Sequence, residues 1–146
     1  MENRPARVGA RSCGMTVLVI ARWLLALFFI VAGLNHFRDP AVYLTMMPPW
    51  VPWPEILQKV AGAAEVAGGI GVLMPHVRRA AAWGLLGLLL AVFPANLHLA
   101  WHGWPDAPVA IAPWVLWLRL PLQVGFAGWV WWTCLSPRSN FARCGI

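Results

Sequence analysis

The chain alternates four long apolar stretches with short segments that hold most of its prolines and charges. Each stretch is about twenty residues long, and a helix of that length, at a rise of about 1.5 Å per residue, spans the roughly 30 Å hydrocarbon core of a bilayer. The sequence therefore predicts an all-α fold, an integral membrane four-helix bundle. The stretches cover residues 15–34, 56–74, 80–101 and 114–135.

The predicted spans leave little of the 146-residue chain outside the membrane. Residues 1–14 are predicted to form a disordered, basic cytoplasmic tail, residues 15–135 the four-helix domain, and residues 136–146 a cytoplasmic C-terminal tail. Residues 39–55 are rich in proline, which lacks a backbone N–H and blocks the preceding helical turn. This segment is expected to leave regular helix in its second half and to cap the bundle at the outer surface.

Composition and charge support the membrane assignment. The chain is 60% hydrophobic and 11% charged, and a soluble domain of this length has too little interior to bury so much apolar surface. The net charge is +6, but the basic residues do not form a stripe that could bind nucleic acid. No nucleic-acid partner is therefore expected. Arginines precede the first predicted helix, separate the second from the third, and follow the fourth. The positive-inside rule therefore places both termini in the cytoplasm.

Cysteine usage argues against a disulfide-forming oxidase. Cys13, Cys134 and Cys144 include no Cys-x-x-Cys pair, and all three fall on the predicted cytoplasmic side. Disulfides do not persist in a reducing cytoplasm, and dithiol chemistry needs a paired, exposed thiolate. We interpret the three cysteines as small apolar side chains near helix ends.

Seven polar residues lie within or at the ends of the apolar stretches, at similar depth from the predicted outer surface. Ionisable side chains at membrane depth are costly and therefore mark candidate functional sites. Glu65 and Arg119 are interpreted as partners across the bundle, either as an ion pair that sets helix register or as part of a ligand or proton site. Arg22, in the inner half, is expected to snorkel to the cytoplasmic headgroups. The seven are Asn35, His36, Glu65, Asn96, His98, Arg119 and Gln123.

Two prolines inside predicted helices lie beside these residues. Pro94 and Pro121 remove the hydrogen bonds normally made to the carbonyls of Leu90 and Trp117. A carbonyl freed at this depth needs a side chain, a water or a ligand as its partner. Histidines occur on the same stretch, but no His-Glu-x-x-His or Glu-x-x-His spacing is present, so no metal site is predicted.

Four stretches of the chain carry a family resemblance. They read GLNHFRDPAVYLTMMPPWVPWP, GAAEVAGGIGVLMPHVRRAAAWGLL, VFPANLHLAW and WLRLPLQVGFAGWVWW, and together they lie within residues 33–132. On them the chain resembles the DoxX-like family of small four-helix bacterial membrane proteins, named after a subunit of an archaeal thiosulfate–quinone oxidoreductase. The resemblance implies a place in the bacterial cytoplasmic (inner) membrane. It implies as motif positions His36, Glu65, Pro94, Asn96, His98, Arg119 and Gln123.

Three functions remain open at this point. The first is a subunit of, or partner to, a quinone-linked membrane redox system, because quinone carbonyls need donors and a carboxylate can relay protons. The second is a non-catalytic membrane scaffold or assembly partner. The third is a small-molecule carrier, which with four helices requires an oligomer. The expected partners are the lipid bilayer, a membrane or cytoplasmic redox protein, and further copies of the chain.

The quinone hypothesis assigns a role to each candidate residue. The sequence establishes no cofactor, but under this hypothesis the cofactor is a quinone whose ring and tail are lined by Phe93, Trp117 and Phe126. Glu65 and His98 are predicted to relay protons. The predicted ligand-binding residues are His36, Asn96, Arg119 and Gln123.

Overall fold

The computed structural model describes residues 6–104, 106–107 and 109–137, with side chains from residue 15 onwards. All regular structure in this part of the chain is helical, as the sequence predicts. The last long helix continues into a π-helical turn at Trp131–Leu135. The helices are α1 (Ala6–Arg38), α2 (Pro40–Met46), α3 (Pro54–Leu73), α4 (Arg78–His102) and α5 (Pro113–Val130).

The first helix is longer than the sequence predicts at both ends. It begins at Ala6, within the segment expected to be disordered, and it ends at Arg38. The expectation of disorder is therefore wrong from Ala6 onwards, because a helix formed by an apolar span extends through helix-favouring residues such as alanine and arginine. Residues 1–5 and the predicted C-terminal tail beyond residue 137 lie outside the described residues.

Three helical segments are long and apolar enough to cross a membrane: Met15–Arg38, Pro54–Leu73 and Arg78–His102. They agree with the first three predicted spans to within a few residues, and they indicate an integral membrane protein. The fourth predicted span coincides with α5 and its π-helical turn, which is not among these three segments. A fourth crossing therefore does not follow from apolar character alone.

Glycines bring α1 and α3 into backbone contact. A Cβ added at Gly33 would lie 2.5 Å from the carbonyl oxygen of Gly62, and a Cβ added at Gly62 would lie 2.6 Å from the Cβ of His36. A Cβ at Gly69 would likewise lie 2.9 Å from the carbonyl oxygen of Ala26. Larger side chains would separate the helices, so these glycines hold His36 directly against α3.

The long helices pack in the order α1, α3, α4 and α5, and the π-helical turn returns to contact α1. One end of the molecule, here called the packed end, is filled by a cluster of buried side chains. Those residues come from α1, α3, α4, α5 and the π-helical turn. They are Leu25, Ala26, Phe29, Val72, Ala82, Leu85, Val130 and Cys134.

Arg22 belongs to the packed end and is 4% exposed. Its Nε donates a hydrogen bond to the carbonyl oxygen of Thr133, at 2.7 Å. The expected snorkelling of Arg22 towards headgroups is therefore wrong, because the guanidinium finds a backbone acceptor inside the protein. This bond joins α1 to the π-helical turn.

Candidate functional site

A cavity of about 550 Å³ lies at the opposite end of the molecule, here called the open end. Side chains from all five helices line the cavity, and most of them are aliphatic, aromatic or methionine side chains. The polar minority faces the same space. It consists of His36, Tyr43, Glu65, Asn96, Arg119 and Gln123.

The structure brings together five of the predicted site residues. Helix α1 contributes His36, α3 contributes Glu65, and α4 contributes Asn96. Helix α5 contributes Arg119 and Gln123. The depth counted along each helix from the sequence therefore places these five side chains at one cavity.

His98 is not among the side chains that line the cavity. Its ring stacks on His102 with centroids 4.2 Å apart, and its carbonyl oxygen lies 3.1 Å from His102 Nδ1. Two residues along a helix rotate a side chain by about 200°, so Asn96 and His98 face different sides of α4. The sequence predicted that His98 and Glu65 together relay protons. The structure does not bring these two side chains together.

Glu65 is paired with His36 and not with Arg119. Glu65 Oε2 lies 3.8 Å from His36 Nε2, and no ion pair joins Glu65 to Arg119 within 4.0 Å among the described residues. Of the two interpretations that the sequence allows for Glu65 and Arg119, the ion pair is therefore absent there, whereas both residues line one cavity. His36 is the nearer partner because Gly33 and Gly62 hold α1 against α3, whereas Arg119 lines the cavity from α5.

Three buried polar atoms at the open end have no hydrogen-bond partner within the part of the chain that the structure describes: His36 Nδ1, Gln58 Oε1 and Glu65 Oε2. Leaving such an atom unsatisfied costs about 1–3 kcal/mol, so each one needs an explanation. Gln58, which is 1% exposed and lies beside His36, is a site residue that was not predicted from the sequence. It could have been predicted from its position seven residues before Glu65, which places it two turns away on the same face of α3.

Tyr43 is the second residue that the sequence analysis missed. Its ring stacks on that of His36 with centroids 3.6 Å apart, and its hydroxyl accepts a hydrogen bond from Asn35 Nδ2 at 3.1 Å. Helix α2 thereby places Tyr43 and Met46 over the cavity. Within residues 39–55, α2 covers the cavity, whereas Trp50 and Trp53 are exposed. The position of this segment at the outer surface of the membrane stays a prediction.

Gln123 links α5 to α4. Its Nε2 donates to the carbonyl oxygen of Leu89, and its Oε1 accepts from Asn96 Nδ2 at 3.1 Å. The sequence predicted that the carbonyl seeking a partner near Pro94 would be that of Leu90. Leu90 is 74% exposed, whereas Leu89 lines the cavity, so the carbonyl that meets a side chain is the inward-facing one.

The remaining chemistry of the cavity follows from its lining. Among the described residues, no three His, Cys, Asp or Glu side chains form a group able to hold a metal ion. Phe126 lines the cavity as predicted, whereas Phe93 and Trp117 do not. A few donors and one carboxylate in an apolar surrounding suit an organic ligand with an oxygen-bearing polar head.

Comparison with known proteins identifies a family. The chain matches, over residues 25–134, the family described as "Domain of unknown function (DUF8561)". The chain belongs to this family. The DUF8561 match includes every residue that lines the cavity. No curated protein and no solved structure matches the chain, and the resemblance to the DoxX-like family stays a prediction.

Proposed function

We propose that this DUF8561 protein is a four-span membrane protein that binds a quinone headgroup in its cavity, as a subunit of or partner to a membrane redox system. One observation carries the proposal. The guanidinium of Arg119 and the His36–Glu65 pair face a single, mostly apolar space of about 550 Å³. A quinone ring is apolar except for two carbonyl oxygens, and pockets for such molecules combine an apolar wall with a few placed donors.

The contacts between α4 and α5 support the fourth crossing. Trp83 meets Trp131 with ring centroids 5.8 Å apart, and Trp101 meets Trp117 at 6.0 Å. These pairs join the two ends of α4 to the two ends of the α5 segment, which therefore runs antiparallel to α4 over the same depth. The Arg119 side chain lines the cavity, so a crossing α5 does not turn this charge towards lipid.

The arginine distribution supports an orientation with both termini in the cytoplasm. A reporter fused after His76 should read as internal, and one fused after Gly103 as external. A reporter fused after the last residue, Ile146, should read as internal. An external signal there would contradict the crossing by α5.

Three polar side chains at the cavity have a direct role in this proposal. Arg119 donates a hydrogen bond to one quinone oxygen. Glu65 Oε2, which has no hydrogen-bond partner among the described residues, accepts one from a quinol hydroxyl. Reduction of the quinone takes two electrons and two protons. The electrons come from a partner redox protein, and protons pass between the ligand and Glu65, with the His36 ring 3.8 Å away as the next carrier.

The test is binding of a short-tailed benzoquinone to the purified protein in lipid nanodiscs, measured by calorimetry. Arg119→Gln should weaken binding about tenfold, or about 1.4 kcal/mol, because one charge-assisted hydrogen bond is lost. The matched control is Arg38→Gln. The Arg38 side chain is 83% exposed and pairs with Asp39, so its removal should leave binding unchanged.

Two outcomes would overturn the proposal. One is a folded wild-type protein that binds no quinone, from which organic extraction also recovers none. The other is an equal loss of affinity in Arg119→Gln and Arg38→Gln, which would assign the effect to overall charge and not to the cavity. A folded protein without quinone binding would favour the scaffold function.

A further inference from the structure

A second groove, of about 410 Å³, runs along α1 beside the cavity. Its α1 residues recur at helical spacing and therefore form one continuous face. From Leu24 to Asn35 this face is about 16 Å long at 1.5 Å per residue. The residues that define it are Leu24, Leu27, Phe28 and Val31, with Asn35 and Tyr43 at one end.

The groove is continuous with the cavity. Phe28 and Tyr43 line both spaces. The Phe28 ring also stacks on Phe126 of α5, with centroids 4.2 Å apart. Helix α1 packs extensively on α3, and the described part of the chain shows no comparable packing of α1 on α5. The side of the cavity between α1 and α5 is therefore closed mainly by these two aromatic rings.

The polarity of the groove changes along its length. Leu24, Leu27 and Val31 are each more than half exposed, and on a membrane-spanning helix such side chains face lipid. At the other end, Asn35 bonds to the Tyr43 hydroxyl, and Tyr43 stacks on His36 of the cavity. An apolar groove that ends at a polar cavity matches a molecule with an apolar tail and a polar head.

The end of the cavity beneath α2 is covered by fixed contacts. Tyr43 stacks on His36 at 3.6 Å between centroids, and Trp104 Nε1 donates to Thr45 Oγ1 at 3.1 Å. These contacts tie α2 to α1 and to the segment that follows α4. The side between α1 and α5 is therefore the less obstructed approach.

We infer that the ligand is a lipid-phase amphiphile that reaches the cavity sideways from the bilayer, past the Phe28–Phe126 pair, and rests its tail in the α1 groove. The inference rests on the proposed function for the headgroup and adds the class of tail and the route. A water-soluble ligand has no apolar tail to place in the groove. An isoprenoid quinone has both parts.

The experiment uses two photoreactive probes on the full chain in nanodiscs. One has a benzoquinone headgroup with a diazirine on its isoprenoid tail, and the other is phosphatidylcholine with a diazirine on an acyl chain. The quinone probe should label α1 between Leu24 and Val31, located by peptide mass spectrometry. Excess short-tailed benzoquinone should reduce that labelling severalfold, because it takes the headgroup site. Labelling by the phosphatidylcholine probe should not respond.

A matched pair of variants tests the groove itself. Val31→Trp fills the groove and should reduce α1 labelling by the quinone probe severalfold, while the short-tailed quinone still binds. Val19→Trp makes the same change on an exposed part of α1 outside both spaces, and should leave labelling unchanged. Both side chains are exposed, so both variants should keep the wild-type melting temperature.

The results separate the two ideas. If the short-tailed quinone does not bind the wild-type protein, the proposed function fails and the inference fails with it. If it binds, but neither the competitor nor Val31→Trp changes the amount of α1 labelled by the quinone probe, the cavity remains a headgroup site and the tail groove is refuted. Displacement of the phosphatidylcholine label by the short-tailed quinone would also refute the groove as a quinone-tail site, because an ordinary lipid would then occupy it.

Discussion

The two ends of the molecule treat buried polar groups in opposite ways. At the packed end, Arg22 bonds to the Thr133 carbonyl, and Thr133 Oγ1 donates to the Trp129 carbonyl at 2.8 Å. At the open end, a cavity of about 550 Å³ is bordered by His36 and Glu65, each with a buried polar atom that has no hydrogen-bond partner among the described residues. The same long helices form both ends.

The two ends differ in what their polar side chains contact: other helices at the packed end, and the cavity at the open end. At the packed end, polar bonds connect helices around a filled cluster, which is the arrangement that stability favours. At the open end, polar groups border a space instead of filling it. Proteins break the rule of satisfied burial chiefly at functional sites, so the comparison assigns structure to the packed end and binding to the open end.

The largest expected effect comes from removing the bond at the packed end. Arg22→Met should lower the free energy of unfolding by about 2–3 kcal/mol, because it leaves the buried Thr133 carbonyl without its charged donor. Unfolding in mixed detergent micelles with increasing SDS measures the change. Arg79→Met is the control, since Arg79 is exposed at the start of α4. If the two variants were equally stable, the hydrogen bond from Arg22 to Thr133 would not stabilise the fold.

The next effect tests the close contact between α1 and α3 at Gly62. Gly62→Ala places a Cβ 2.6 Å from the Cβ of His36, so α1 and α3 must move apart. We expect a loss of about 2 kcal/mol, typical of overpacking. Gly87→Ala is the matched control, because nothing lies within 4 Å of its added Cβ. The same unfolding assay measures both, and a stable Gly62→Ala would show that the helices contact each other less closely than described.

Two buried glutamines provide a smaller test. Gln123→Leu should lower the free energy of unfolding by about 1 kcal/mol, because it removes the bonds to Leu89 and Asn96 that join α4 to α5. Gln58→Leu makes the same change where the side-chain oxygen has no partner in the described part of the chain, and should cost less. A reversed order would mean that the open end depends on Gln58 for stability.

The smallest effect on stability is expected at the carboxylate of the cavity. Glu65→Gln should change the free energy of unfolding by less than about 1 kcal/mol, because His36 Nε2, the partner of Oε2, is 3.8 Å away and makes no hydrogen bond to it. It should nevertheless weaken binding of a short-tailed benzoquinol, measured by calorimetry under reducing conditions, because a neutral amide replaces the carboxylate that accepts from the quinol hydroxyl. Glu55→Gln repeats the substitution at the exposed start of α3 and should affect neither quantity. If the Glu65→Gln protein failed to fold, the role of Glu65 would be structural and not ligand binding.

From the sequence alone, the helices and the depth of their polar residues could be predicted. The lengths of the apolar stretches and the positions of the prolines are local properties, so the boundaries of the first three spans agree with the structure to within a few residues. The count of residues along each helix gives its axial position directly. That count placed His36, Glu65, Asn96, Arg119 and Gln123 at a common level, and the structure has them at one cavity.

Only the tertiary structure decided which side chains meet. Axial position does not give the rotation of a helix about its axis, and that rotation depends on contacts between helices such as the close approach of Gly33 to Gly62. Rotation pairs Glu65 with His36 and directs His98 away from the cavity. It also turns Arg22 inward to an acceptor more than a hundred residues away in the chain. Such a pairing is a property of the packed helices and has no local signal in the sequence.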